Sequence, residues 1–310
     1  MSTSPRPSIQ PIPRPYLSLV DDAAMFPPGN APLAEAVVGH REHSQAAYAD
    51  LVGTFVVRDV TLPDLLKTLR ATPFSESLPV TVIVTGGVGA LEPAVRWATD
   101  ADELTLQSLE FALRDEADLA HNARRLVTAT DQLVDSGHLD ESLPVYVEPP
   151  RLFGQPPTQS WHAALDEIAA RDLRLKFRTG GENADDFPAS SELATCIESA
   201  LDRELAFKCT AGLHHAVRHR DSETGFEHHG FLNVLLATRA SLDGSSPPHV
   251  AHLLEETDAA TATELLDEVG EAGLVSARGW FTSFGSCSVH DPLHDLASLG
   301  LLAQLPMEST

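Results

Sequence analysis

The sequence predicts a single α/β domain of the (β/α)8 barrel class. Three observations carry this prediction. Eight short, apolar, β-rich runs punctuate the chain, helical patterns fill the gaps between them, and the length suits such a barrel. The chain has 310 residues, 43% of them hydrophobic. A barrel needs roughly 250 residues plus insertions, and this apolar share is enough to fill its core.

The runs fall at 16–20, 54–58, 80–85, 105–111, 144–148, 173–178, 205–210 and 280–285. Most are flanked by Gly, Pro or Asp, as strands buried on both faces are. Residues 32–51, 61–71, 88–98, 115–136, 159–171 and 190–203 repeat apolar positions at helical spacing and read as the connecting helices. The link between the seventh and eighth runs is longer and holds helical patterns at 229–241, 248–256 and 259–272; a last one follows at 291–303. An open doubly wound sheet would carry a glycine-rich fingerprint after its first strand, and DDAAMFPPGN at 21–30 is not one. Residues 1–15, polar and proline-rich with no apolar stretch, read as a flexible tail and not a signal peptide, leaving 16–310 as the barrel domain.

Charge narrows the partners. A net charge of −24 repels nucleic acid phosphates and anionic lipid, and no apolar run reaches the ~20 residues of a membrane span. Expected partners are therefore a small-molecule substrate and, at most, further copies of the chain. Cys196, Cys209 and Cys287 show no CxxC spacing, which fits reduced thiols in a cytoplasmic protein.

Of the 21 basic residues only three are lysine: Lys67, Lys176 and Lys208. Lysine, unlike arginine, can lose its proton and act as an amine. Side chains alternate along a strand, so Lys176 shares a face with Arg178, and Lys208 with Thr210. Their apolar neighbours Leu175, Phe177 and Phe207 belong against the helices, which sends both lysines into the barrel. Desolvation and neighbouring cations there would lower a lysine pKa and free an amine for Schiff-base formation. Glu148, one strand away, is placed to pair with Lys176 instead. A third reading uses lysine, arginine and glycine N–H groups to hold an anion.

In such barrels chemistry sits at the C-terminal ends of the strands. Polar residues gather there in this chain: Asp21 and Asp22, Arg58, Glu148, Arg178 with Thr179-Gly180-Gly181, Thr210, His214-His215 and Ser286. Lys176, Lys208, Glu148, His214 and His215 are the catalytic candidates. Arg178, Thr179, Gly180, Gly181, Thr210, Arg58, Asp22, Ser286 and, in HHGFLN, Asn233 are the substrate-binding ones. Histidine serves as general acid, general base or metal ligand, but the spacing matches no established metal signature, so no metal and no cofactor are assigned. His40 reads as a solvated helix residue, Trp97 and Trp161 as packing residues, and Cys209 as a core residue.

The strings LVDDAAMFPPGNAPLAEAV, LKFRTGG, FKCTAGLHHAVR, HHGFLNVLLA and FGSCSVHDPLHDL together resemble an uncharacterised family of bacterial proteins with the same ordered motifs. The two lysine strands are also similar to those of class I aldolases of the deoxyribose-phosphate aldolase type. That resemblance implies Lys176 as the Schiff-base lysine and Lys208 as the partner that lowers its pKa. Arg178 stands where that family carries a small polar residue, and His214-His215 is foreign to it. The expected function is a lyase acting on a small carbonyl compound with an anionic group. A metal-dependent isomerase or hydrolase and a non-catalytic anion-binding barrel are the alternatives.

Overall fold

The structure, a computed structural model, describes residues 11–302 apart from 73, 75 and 115. In chain order it runs β1 (Val20–Asp22), α1 (Leu33–Gln45), β2 (Val52–Arg58), α2 (Leu62–Ala71), β3 (Leu78–Val84), α3 (Leu91–Thr99), β4 (Leu104–Ala112) and α4 (Leu119–Asp135). Then come β5 (Val145–Glu148), α5 (Gln159–Ala169), β6 (Arg174–Arg178), α6 (Ser190–Leu201) and β7 (Phe207–Thr210). An excursion follows through a small hairpin of β8 (His219–Arg220) and β9 (Glu227–His228), then α7 (Phe231–Leu242), α8 (Pro247–Glu255) and α9 (Ala259–Arg278). The chain returns as β10 (Phe281–Ser286) and α10 (His290–Ser298). β1 to β7 and β10 form a closed barrel of eight parallel strands, with β10 seated between β7 and β1.

The elements obey local chemistry. Asp118, Thr158 and Asp258 cap α4, α5 and α9 by accepting backbone N–H bonds from the first turn. Val80, Val82 and Val84 on β3 are buried, and the alternate position Thr81 reaches hydroxyls on both neighbouring strands. Outside the barrel Phe177, Phe207 and Phe281 of adjacent strands pack with ring centroids 5.4 and 5.6 Å apart. Phe231 of α7 stacks on Phe284 of β10 at 5.0 Å, so the long excursion is clamped onto the barrel wall.

Three expectations need correction. The first strand is Val20–Asp22, not 16–20, because Pro13 and Pro15 hold Arg14–Tyr16 in a 3-10 turn and delay the extended chain. The expected tail, 1–15, lies mostly outside the described residues, but Ile12 and Pro15 are buried and Ile12 joins the core. α9 runs on past 272 to Arg278 through a break at Gly270, whose φ is 68°. The helix ends expected at 115 and 303 fall outside the described residues. Among the described residues no helix is long and apolar enough to cross a membrane.

Two turns at the C-terminal mouth lean on each other. Thr179-Gly180 follows β6 and Ala211-Gly212 follows β7. Gly212 has φ +76°, and a Cβ there would sit 2.8 Å from the Thr179 carbonyl oxygen and 2.9 Å from Gly180 Cα. Gly212→Ala should therefore destabilise the fold by about 2 kcal/mol or more, read as a lowered urea midpoint with an unchanged m-value. A stability equal to that of the parent chain would mean the two turns can separate freely.

Candidate active site

The lumen of this barrel is ionic where branched apolar layers are the rule. Parity places Lys176 and Lys208 inside, and the β6–β7 register sets them side by side. Both are buried, at 3% and 1% exposure. A buried ammonium without a partner is prohibitively costly, and each lysine has two carboxylates. Lys208 Nζ lies 2.7 Å from Asp21 Oδ2 and 2.6 Å from Glu110 Oε1. Lys176 Nζ lies 2.9 Å from Glu110 Oε2 and 2.7 Å from Glu148 Oε2. Arg178 Nε then donates to Glu148 Oε1 at 3.0 Å. Charges thus alternate in one chain, Asp21, Lys208, Glu110, Lys176, Glu148, Arg178, from the lumen to the mouth.

Around this chain every hydroxyl has a direction. Asp21 Oδ1 accepts from the Thr54 backbone N–H and hydroxyl, and Oδ2 accepts from Ser283. Thr54 has one hydroxyl proton, so Thr81 must donate to Thr54, and Ser108 to Thr81, at 2.5 and 2.6 Å. Gly53 makes room for the carboxylate, since a Cβ there would run into Asp21 Oδ1. On the far side Lys208 Nζ stands 5.3 Å from the centroid of the Tyr146 ring, a cation–π contact. The Tyr146 hydroxyl receives a bond from Arg174 and pairs with Thr282.

Electrostatics follow from the geometry. Burial pushes the Glu110 carboxyl up, but the two ammonium groups together outweigh it and hold it at about 2. Burial likewise favours neutral amines, yet Glu110 and Glu148 keep Lys176 above its ordinary range, and Asp21 and Glu110 do the same for Lys208. Glu148 is pushed up by burial and brought below its ordinary range by Lys176 and Arg178. The expected lowering of the lysine pKa is thus overturned: opposite charges, not like ones, are the nearest neighbours, and in the resting site both lysines are cations.

Other candidates go elsewhere. Asp22 points away from the lumen, 3.0 Å from the ring nitrogen of His40 on α1. That pair is buried, so His40 is not a solvated helix residue. Asn233 is fully buried and spends its amide on the carbonyls of Leu253 and Glu256 and on the Arg218 N–H, which fixes the joint of α7 and α8. Thr179 is buried and its hydroxyl donates to backbone oxygens of Thr210 and Ala211. Gly180 packs on Gly212, and Asp186 fills the space beside Gly181. The side chains of Asp22, Asn233 and Thr179 are thus committed to the protein, and Gly180 and Gly181 leave no room for a Cβ.

A second cluster forms at the end of β10. His214 Nδ1 lies 3.2 Å from Ser286 Oγ, and the Cys287 sulfur lies 3.8 Å from the same nitrogen. Burial, opposed by Asp291, holds His214 at about 4, and burial pushes the Cys287 thiol up; both groups are neutral near neutral pH. His215 turns to Asp295 of α10, whose hydrogen bond raises its pKa, and its ring meets His219 at 4.5 Å. No hydrogen bond or ion pair among the described residues joins this cluster to the lysines. Among the described residues no group of three or more His, Cys, Asp or Glu side chains is arranged to hold a metal ion. Arg58 is exposed at the mouth with its guanidinium 4.7 Å from the Phe26 ring centroid, and Thr210 sits in register with Arg178. Trp161 is buried, but Trp97 is 48% exposed and packs less than expected.

Asp21, noted from sequence only as a polar strand end, and Glu110, assigned no role there, complete the ionic chain. Glu110 carried a usable signal: a carboxylate inside the apolar run LQSLEFA, on the same face as Ser108, has to find a cation.

Glu110→Gln leaves each lysine with one carboxylate and should cost about 3–5 kcal/mol of stability at neutral pH. The folded pKa of Glu110 lies below its unfolded value, so its contribution is present above about 4.5 and fades as pH falls toward about 2. Urea denaturation should therefore show the gap between parent and variant narrowing over that window. Equal stabilities at neutral pH would contradict the ionic core.

No model of a known family, no curated protein and no solved structure matches this chain.

Proposed function

We propose that the chain is a lyase of the aldolase type that acts on a small carbonyl compound bearing an anionic group, with Lys176 as the amine. The observation that carries this reading is the Lys176–Glu148 contact of 2.7 Å at the mouth end of the ionic chain. It gives the lysine a proton acceptor within direct reach. Lys208 and Glu110 form the deeper pair that keeps the amine oriented. The metal-dependent alternative gains no support from the ligand geometry.

The step balances with the residues present. The Lys176 ammonium passes one proton to Glu148. The neutral amine attacks the carbonyl carbon, forming a C–N bond as the C=O π pair moves to oxygen. One proton leaves nitrogen for that oxygen, Glu148 supplies the second, and water departs to leave an iminium. The iminium withdraws electrons from the adjacent C–C bond, which is how an amine promotes its cleavage.

Incubation with a panel of small aldehydes, keto acids and sugar phosphates, followed by borohydride reduction, should leave a stable adduct on Lys176 by intact and peptide mass. Lys176→Arg keeps the cation between its two carboxylates but cannot form an imine, so this variant should fold and show no adduct. Ligand binding without any adduct across the panel would reassign the mouth to anion binding.

A further inference from the structure

The ionic chain ends in an unequal pair. Glu148 has a side chain only 13% exposed, whereas that of Arg178 is 41% exposed. Glu148 holds two cations by different oxygens, Lys176 on Oε2 and Arg178 on Oε1. The Lys176 side of the carboxylate is buried and fixed, while the Arg178 side faces the mouth. Arg178 also borders a narrow crevice with Pro149, Pro150, Arg151 and Glu192. Arg151 is itself held by Glu192 at 2.6 Å with 14% exposure, whereas the Arg178 side chain is 41% exposed. Its grip on Glu148 is a single Nε bond, and the fork geometry that makes arginine a ligand for carboxylates and phosphates is not saturated by it.

We propose that Arg178 recognises the anionic group of the substrate, and that its transfer from Glu148 to that group turns Glu148 into the proton acceptor for Lys176. The inference rests on the aldolase-type reading given above and adds a coupling to it. With Arg178 in place, Glu148 is neutralised twice and has no call for a proton. An arriving carboxylate or phosphate competes for the guanidinium. Glu148 then keeps one cation, and the shortest way to neutralise the remaining pair internally is for the Lys176 proton to cross to it. The amine thus appears only when an anionic carbonyl compound is present to use it, which protects a buried lysine from unselective aldehydes.

Two matched pairs of probes test this: glyceraldehyde phosphate against glyceraldehyde, and succinic semialdehyde against butanal. Each is incubated with cyanoborohydride, and the rate of adduct formation on Lys176 is followed by peptide mass. In the parent chain the anionic member of a pair should react about tenfold faster, as the loss of one charge-assisted hydrogen bond to Glu148 implies. The two pairs show whether phosphate or carboxylate is the group preferred. Arg178→Gln should abolish the preference by speeding the neutral member, a gain that damage to the fold would not produce. Glu148→Gln, with Arg178 intact, should slow both members. Equal rates for charged and neutral probes in the parent chain, or a uniform slowing in Arg178→Gln, would overturn the coupling and leave the Schiff-base reading standing. No adduct on Lys176 with any probe would overturn both.

Discussion

Glu110 sits at the centre of the barrel, and most of the polar architecture follows from the need to keep it charged. A carboxylate taken out of water is unstable unless it is paired and hydrogen-bonded. Each of its oxygens meets a different lysine, Oε1 that of β7 and Oε2 that of β6. Having drawn in two cations, the lumen then needs two further carboxylates, and Asp21 and Glu148 supply them. The chain of alternating charge is the smallest solution that leaves no buried ion alone.

That solution shapes its surroundings. Asp21 collects bonds from Lys208, Ser283 and Thr54, and the relay through Thr81 and Ser108 lies between β2 and β4. The deep end of the chain is therefore saturated and rigid. The mouth end is not: Glu148 and Arg178 are the members that reach solvent. The partly open members lie at the C-terminal end, where barrels of this class keep their active sites. The same low dielectric that makes each buried pair strong makes the loss of any one partner expensive.

The histidines form a separate outer shell. His40 braces Asp22 behind the wall, His214 leans on Ser286 and Cys287, and His215 ties the loop after β7 to α10. The nearby His215, His219 and His228 rings pack against each other at 4.5 and 5.1 Å. Their neutral or singly paired state suits loop packing over the mouth, and none replaces a carboxylate in the ionic chain.

The sequence by itself determined the barrel. Eight apolar runs separated by helical patterns, with no glycine-rich fingerprint after the first, point to a closed barrel that buries both faces of each strand, and period-two alternation alone put Lys176 and Lys208 on the inner wall. It also predicted the long excursion before the last strand. Only the tertiary structure decided what the lysines meet. Glu110 lies two strands from Lys176 and three from Lys208 around the wall, and the contacts run across the lumen, a direction that periodicity along one strand does not encode. Of the two aspartates ending the first strand, Asp21 turned to Lys208 and Asp22 to His40, a choice that no local pattern fixed. The charge state of the lysines turned on whether their nearest neighbours were cations or carboxylates. Position along a strand is a local property of the chain; the field at a buried amine is the sum over residues far apart in sequence, and closure of the barrel is what brings them together.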